Sequence, residues 1–192
     1  GYVNYKDAWL TEPLNVYSKT YLESDFKRFK NPKSVSLKKK MESNFLGIQG
    51  QLWTETVRNE KIFDELMYPN LIVLAEKAWS QQDQWTKNLS IQNIDEMMSK
   101  EWSYFANTLG HKTLNHLSLL YGGVDFDLPK PGGIIKNDTL FVNSVFPGLD
   151  VRFTRNGSLP SSDDELYTKE FKVLSSELIV LRLFDKTGRG GR

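Results

Sequence analysis

Gly47-Ile48-Gln49-Gly50-Gln51-Leu52-Trp53-Thr54-Glu55-Thr56 is a short apolar segment opened by glycines and closed by an aromatic ring and a carboxylate. A polar gap and a long amphipathic pattern follow, so the segment predicts a buried strand whose C-terminal end carries function. Ile48, Leu52 and the glycines suit a strand packed closely on both faces, and Trp53 and Glu55, two apart, project the same way. A flat apolar ring beside a carboxylate that accepts from hydroxyls is what a sugar pocket needs. In an α/β barrel such residues stand where strands end, because the site is built from the C-terminal rims. The same residues also fit packing, with Trp53 plugging a barrel mouth and Glu55 capping the next helix. Residue physics leaves both readings open.

Downstream, Asn59 is placed to cap a helix from about Glu60 to Ser80. Phe63, Leu66, Met67, Leu71, Leu74, Ala75 and Ala78 recur at three and four residues, the stripe of a helix on a barrel wall. Pro69 falls mid-pattern and predicts a kink or a division. Asp64-Glu65 reads as solvated surface. Beyond a polar connector around Trp85, Ile91 to Leu109 predicts a helix with Ile94, Met97, Met98, Trp102, Phe105 and Leu109 on one face and Gly110 as its stop. Thr113 to Tyr121 predicts a shorter one.

Upstream, Gly1 to Tyr5 is a brief aromatic and β-branched run, so Tyr2 and Asn4 share one face of a strand end, and Lys6 to Pro13 reads as a loop. Trp9 in that loop is read as packing rather than sugar stacking. Tyr21, Leu22, Phe26 and Phe29 predict a short helix ended by Asn31-Pro32, and Ser34 to Asn44 a lysine-rich loop with room for a helical turn.

After Gly122-Gly123 the period changes. Leu140 to Val142, Leu149 to Thr154, Phe171 to Val173 and Leu178 to Phe184 are strand-length, separated by Lys130-Pro131-Gly132-Gly133, Phe146-Pro147-Gly148 and Arg155-Asn156-Gly157-Ser158, each with turn chemistry. Short strands at this interval indicate a small β-sandwich.

Three blocks also carry a family resemblance. Gln51-Leu52-Trp53-Thr54-Glu55-Thr56, Met67-Tyr68-Pro69-Asn70-Leu71 and Ala75-Glu76-Lys77-Ala78-Trp79-Ser80 resemble, in order and spacing, the last strand and helix of the family 20 glycoside hydrolases, the β-N-acetylhexosaminidases. Tyr2 resembles the tyrosine of that family's penultimate barrel strand, and Asn4 stands where an aspartate is usual. Leu128-Pro129-Lys130-Pro131-Gly132, Phe146-Pro147-Gly148-Leu149 and Asn156-Gly157-Ser158-Leu159-Pro160 resemble the β-domain appended to bacterial chitobiases and hexosaminidases.

The resemblance implies an α+β chain. Residues 1–121 are the expected terminal β/α units of a TIM barrel with trailing helices, and residues 122–192 a small immunoglobulin-like sandwich. It implies, for a parent enzyme, removal of terminal β-linked N-acetylglucosamine or N-acetylgalactosamine with retention, the substrate's own acetamido oxygen attacking the anomeric carbon. In that scheme Tyr2 stabilises the oxazolinium-like intermediate, Trp53 walls the acetamido pocket, and Glu55 accepts from the 4- and 6-hydroxyls. Asn4 bonds a sugar hydroxyl without the usual charge.

The family's catalytic aspartate–glutamate pair follows a histidine, one residue and two glycines. Asp64-Glu65, Asp95-Glu96 and Asp163-Asp164-Glu165 all lack that context. The chain is therefore expected to be a C-terminal fragment that does not hydrolyse glycosides by itself. A fragment of a barrel exposes strand edges and apolar faces, so self-association is expected. The competing readings are a non-catalytic carbohydrate-binding module and a structural or interaction module.

Composition bounds the rest. With 39% hydrophobic and 26% charged residues in 192, the chain is of globular composition with room for one or two cores. A net charge of +1 gives no field for nucleic acid or an anionic membrane; Lys38-Lys39-Lys40 and the run Arg189 to Arg192 read as solvated charge. There is no cysteine, so no disulfide or thiolate site arises. His111 and His116, five apart, fit no metal-binding spacing, and no cofactor is expected. No apolar run is long enough to span a membrane. The family is commonly exported in bacteria, so the resemblance implies a periplasmic, cell-surface or secreted location.

Overall fold

In a computed structural model the described residues are 4–11, 38–80 and 91–192. Tyr2, the expected helix around Phe26 and the connector around Trp85 lie outside them. The chain divides into two compact units, Gly1–Thr56 with Pro69–Ser103, and Val57–Tyr68 with Tyr104–Arg192. Helices together with two small antiparallel sheets make it α+β, as the sequence predicts.

In the first unit, α1 (Tyr5–Trp9) starts at Asn4, whose Oδ1 accepts from the Lys6 N–H at 2.9 Å. This corrects the reading of Lys6 to Pro13 as a loop: the Asn4 cap satisfies a backbone donor and lets the next five residues turn helical. The helix buries Tyr5 and Trp9. Trp9 meets the Trp102 ring edge-on at 5.6 Å, with Lys77 Nζ 5.4 Å from its centroid. Packing is thus its role, as expected.

The predicted 60–80 helix is divided at its proline. α2 (Glu60–Met67) begins at Asn59, whose side chain accepts from Ile62 N–H at 2.9 Å, and α3 (Asn70–Trp79) begins after Pro69. Tyr68 between them is extended, the conformation imposed on a residue before proline. The apolar stripe does not cover a wall: Phe63, Leu66 and Leu71 are exposed and Val73 is the fully buried side chain. Among the described residues no sheet lies beneath the stripe, and α3 instead packs on α1.

The same absence corrects the opening segment. Residues 45–54 carry no strand, with Ile48 and Leu52 half-buried. A parallel strand is held by bonds from neighbours on its edges, and no described strand flanks this one. Its glycine does permit close packing, since a β-carbon on Gly50 would lie 2.7 Å from Leu74 Cδ2.

In the second unit, α4 (Ile91–Thr108, which enters from the first) runs past Gly110 through a π-turn at Leu109–Thr113 into α5 (Leu114–Leu117). Gly110 is therefore no stop. It lies against the main chain of Phe146 and Pro147, where a β-carbon has no room. Phe105, Ala106, Leu109, Leu114, Phe126 and Leu128 form the buried helical side of this unit.

Six strands follow: β1 (Gly132–Lys136), β2 (Thr139–Asn143), β3 (Asp150–Thr154), β4 (Glu165–Leu166), β5 (Phe171–Lys172) and β6 (Val180–Phe184). They form two three-stranded sheets, ordered β1-β2-β5 and β4-β3-β6, with every pair antiparallel. Phe153 of β3 stacks on Phe171 of β5 with centroids 4.6 Å apart, and Gly133 of β1 sits where a β-carbon would press on Leu181 of β6. The sheets thus meet face to face over Leu140, Val151, Phe153 and Leu183. Gly132-Gly133, read as a turn, opens β1 instead. The tight turn is Asn137-Asp138, with φ of 48° and 57°, joining Lys136 to Thr139. Both central residues at positive φ give the twist a two-residue hairpin needs.

Two charge readings are also corrected. Glu65 is largely buried on its side-chain atoms and pairs with Arg192, and Arg189 is held by Asp125 and Asp185. Glu65 and Arg189 are therefore not simply solvated, because the chain after β6 folds back onto these carboxylates, whereas the Arg192 side chain stays 73% exposed.

Candidate functional site

Trp53 and Glu55 lie on the exposed stretch that leads out of the Gly47–Leu52 segment, Glu55 opening a turn with Thr56. Trp53 is 68% exposed, unusual for a side chain with so much apolar surface. Among the described residues neither Trp53 nor Glu55 has a hydrogen-bond, ion-pair or ring partner, which leaves an indole face and a carboxylate free within two residues of each other. Chemically the pair can stack on an apolar ring face and accept hydrogen bonds from hydroxyls.

Asn4 belongs to the same compact unit. Its Oδ1 is committed to the α1 cap, so its amide NH2 is the group left for a ligand. Tyr2 lies outside the described residues. Among those described, no three His, Cys, Asp or Glu side chains are placed to hold a metal ion, and no helix is long and apolar enough to cross a membrane.

Two carboxylates of the β unit have perturbed acidity. Glu177 is held below the usual carboxylate range first by the Leu174 N–H, at 2.7 Å, and then by Arg155, at 3.0 Å. Asp164 is lowered by the Ser161 N–H and hydroxyl, at 2.7 and 2.8 Å, and more weakly by Arg152. Both are stabilised anions that tie down loops, the opposite of a proton donor raised towards neutrality. Arg155 lies over the Phe171 ring at 4.4 Å and the Phe153 ring at 5.3 Å, and pairs with Glu177. The guanidinium thus covers the aromatic pair most able to offer a stacking platform in this unit. The sequence marks Arg155 only as part of a turn and Arg189 only as solvated charge, since Glu177 lies 22 residues from the first and Phe126 63 residues from the second, although Asp185 is four residues from Arg189.

Residues 2–82 match the family description for the catalytic domain of glycosyl hydrolase family 20, and residues 114–192 that of the chitobiase/β-hexosaminidase C-terminal domain. The chain is 31% identical over 122 residues to N,N′-diacetylchitobiase of Vibrio harveyi, covering 59% of this chain and 14% of that protein. It is 28% identical over 165 residues to β-hexosaminidase of Vibrio vulnificus, covering 78% and 19%. A 49-residue stretch is 41% identical to β-hexosaminidase B of Pseudoalteromonas piscicida, covering 26% and 6%. The chain spans less than a fifth of the length of these curated relatives.

Proposed function

We propose that this chain, a relative of the family 20 glycoside hydrolases through both matched segments, is the C-terminal part of a retaining β-N-acetylhexosaminidase. The parent enzyme removes terminal β-linked N-acetylglucosamine or N-acetylgalactosamine by substrate-assisted catalysis. On this reading residues 1–121 contribute the last units of a (β/α)8 barrel with trailing helices, and residues 122–192 an immunoglobulin-like sandwich. Tyr2 bonds the acetamido oxygen as it attacks the anomeric carbon. Trp53 walls the acetamido pocket, Glu55 accepts from the 4- and 6-hydroxyls, and Asn4 bonds a hydroxyl through its amide. All act by positioning and preorganised polarity. The general acid and the aspartate that orients the acetamido group are supplied by residues outside this chain, so the chain by itself does not turn over glycosides.

The observation that carries the reading is the free indole and carboxylate of Trp53 and Glu55 inside the segment matched to the catalytic domain. The test is turnover of a chromogenic N-acetylglucosaminide by the parent enzyme and by its Trp53→Ala and Glu55→Gln variants. A loss in kcat/KM of about 10- to 1,000-fold is expected when a buried hydrogen bond or wall to the sugar is removed. Unchanged kinetics in both variants, or turnover by the isolated chain that disappears on mutating one of its residues, overturns it.

For the β unit the structural reading is favoured over carbohydrate binding, because Arg155 lies over the stacked Phe153–Phe171 pair.

A further inference from the structure

α2 is eight residues long and none of its apolar side chains is fully buried. A helix so short is marginal in water even with favourable residues, and here Ile62 and Met67 are only half-buried. Its polar contacts run to residues far along the chain. Glu65 pairs with Arg192 and lies 4.0 Å from Arg189 Nη1. The carbonyl of Tyr68, at its C-terminal end, accepts from Asp127 N–H at 2.9 Å.

Arg189 is fixed through Nε and Nη1, while its buried Nη2 has no hydrogen-bond partner among the described residues. Its Nε stands 3.0 Å from both Asp125 Oδ1 and Asp185 Oδ2, its Nη1 donates to the Phe126 carbonyl at 2.9 Å, and the guanidinium lies 4.7 Å over the fully buried Phe126 ring. Asp185, itself buried, also accepts from Thr187 N–H, the Thr187 hydroxyl and Arg189 N–H, which sets the turn that delivers Arg189. The segment is then tied to β6 by Gly191 N–H on the Leu183 carbonyl at 2.8 Å.

We propose that the β unit's turn and tail from Asp185 to Arg192 form a built docking surface for α2, with Arg189 and Arg192 as the receptor for Glu65. The helix lies within the segment matched to the catalytic domain, while its anchor lies in the segment matched to the C-terminal domain. The sequence boundary between the two matches is therefore not the boundary of cooperative folding. The role assigned to the β unit is to hold this helix, and the assignment does not depend on glycosidase activity. Glu65 stands in the last turn of α2, where the helix dipole disfavours an anion and favours cations, so the nearby arginines offset both the dipole and the burial of the carboxylate.

Hydrogen exchange on the whole chain tests this, comparing wild type with Glu65→Gln, Arg189→Gln and the double variant. Amides of residues 63–68 should exchange about tenfold faster in either single variant, those of β3 and β6 should stay protected, and the double variant should add little to the worse single one. Unchanged protection at 63–68 in both single variants, or fully additive effects, overturns the proposal. If Arg189→Gln also loosens β6 through the Asp185 turn, Glu65→Gln decides alone, since none of that turn's hydrogen bonds ends on Glu65: a faster α2 supports the docking surface and an unchanged α2 refutes it.

Discussion

Gly110 lies against Pro147 so closely that a β-carbon on it would overlap the proline's carbonyl oxygen and stand 2.9 Å from the Phe146 carbonyl carbon. The glycine in the π-turn is what lets the helical side of the unit touch the loop that leads into β3.

Gly110→Ala sets two effects against each other. Helix propensity favours alanine by about 1 kcal/mol, but the overlap is with main chain, which cannot rotate away, and overpacking costs about 1–3 kcal/mol. Because the loop is anchored by buried Phe146 and Leu149, the steric term wins. A lower urea midpoint for Gly110→Ala is expected. Gly47→Ala, with nothing within 4 Å of its β-carbon, should be near neutral.

The Asn137-Asp138 turn offers a gain. Both residues sit at positive φ, which strains an L-residue other than glycine by roughly 1 kcal/mol, and their partners bond the backbone: Lys172 Nζ to the Asn137 carbonyl and Val173 N–H to the Asp138 carbonyl. Asp138→Gly removes strain without touching those bonds, at some cost in unfolded-chain entropy. A net stabilisation of about 0.5 kcal/mol is expected, read as a rise in melting temperature. Asp138→Val should lower it.

Acid should destabilise the β unit through Glu177 and Asp164. Both carboxyls have folded-state pKa values below their unfolded ones, Glu177 chiefly from the Leu174 N–H and Asp164 chiefly from the Ser161 N–H. A depressed carboxyl contributes stability that is fully present above the unfolded pKa and is lost as pH falls through the folded one. Urea denaturation followed from neutral pH down to about pH 3 should show stability falling in wild type. The fall should be shallower in Glu177→Gln. Equal slopes would mean that the Leu174 N–H does not favour the Glu177 anion.

How far the sequence reached follows from the range of each interaction. Asn59 as a cap, Pro69 as a divider, the turns at Gly148 and Gly157 and the strands around Val151 and Leu183 were legible because each depends on residues a few positions away. The turn at Asn137 was overlooked in favour of the louder Pro131-Gly132-Gly133. The tail that buries Arg189 against Asp125 was not legible, since a run of arginine and glycine has no period and its partner lies 64 positions back in a loop. The strand at Gly47 to Trp53 failed for the opposite reason: its pattern is local, but a strand exists only with neighbours, and none of the described residues supplies one. Of the expected site residues, Trp53 and Glu55 lie on an exposed stretch without the strand that would have set their direction, and the use of Asn4 as a helix cap depends on residues read as a loop.

Trp9 and Trp53 share a residue type and compact unit but should respond oppositely to substitution. Trp9 is buried at 3% exposure against Trp102 and beneath Lys77, so Trp9→Ala leaves a cavity in the α1–α3 contact and should cost about 3–5 kcal/mol. Trp53, at 68% exposure and without a ring partner among the described residues, touches little; Trp53→Ala should change stability by less than about 0.5 kcal/mol. If the proposed function holds, the order reverses at the sugar. Stacking on an exposed indole supplies apolar contact to a pyranose face, so Trp53→Ala should weaken inhibition by N-acetylglucosamine about tenfold or more while leaving the melting temperature unchanged. A conservative Trp9→Phe should leave inhibition intact. If Trp53→Ala instead lowers the melting temperature as much as Trp9→Ala does, its ring is packed in the working protein, and the packing reading of the opening segment is the correct one.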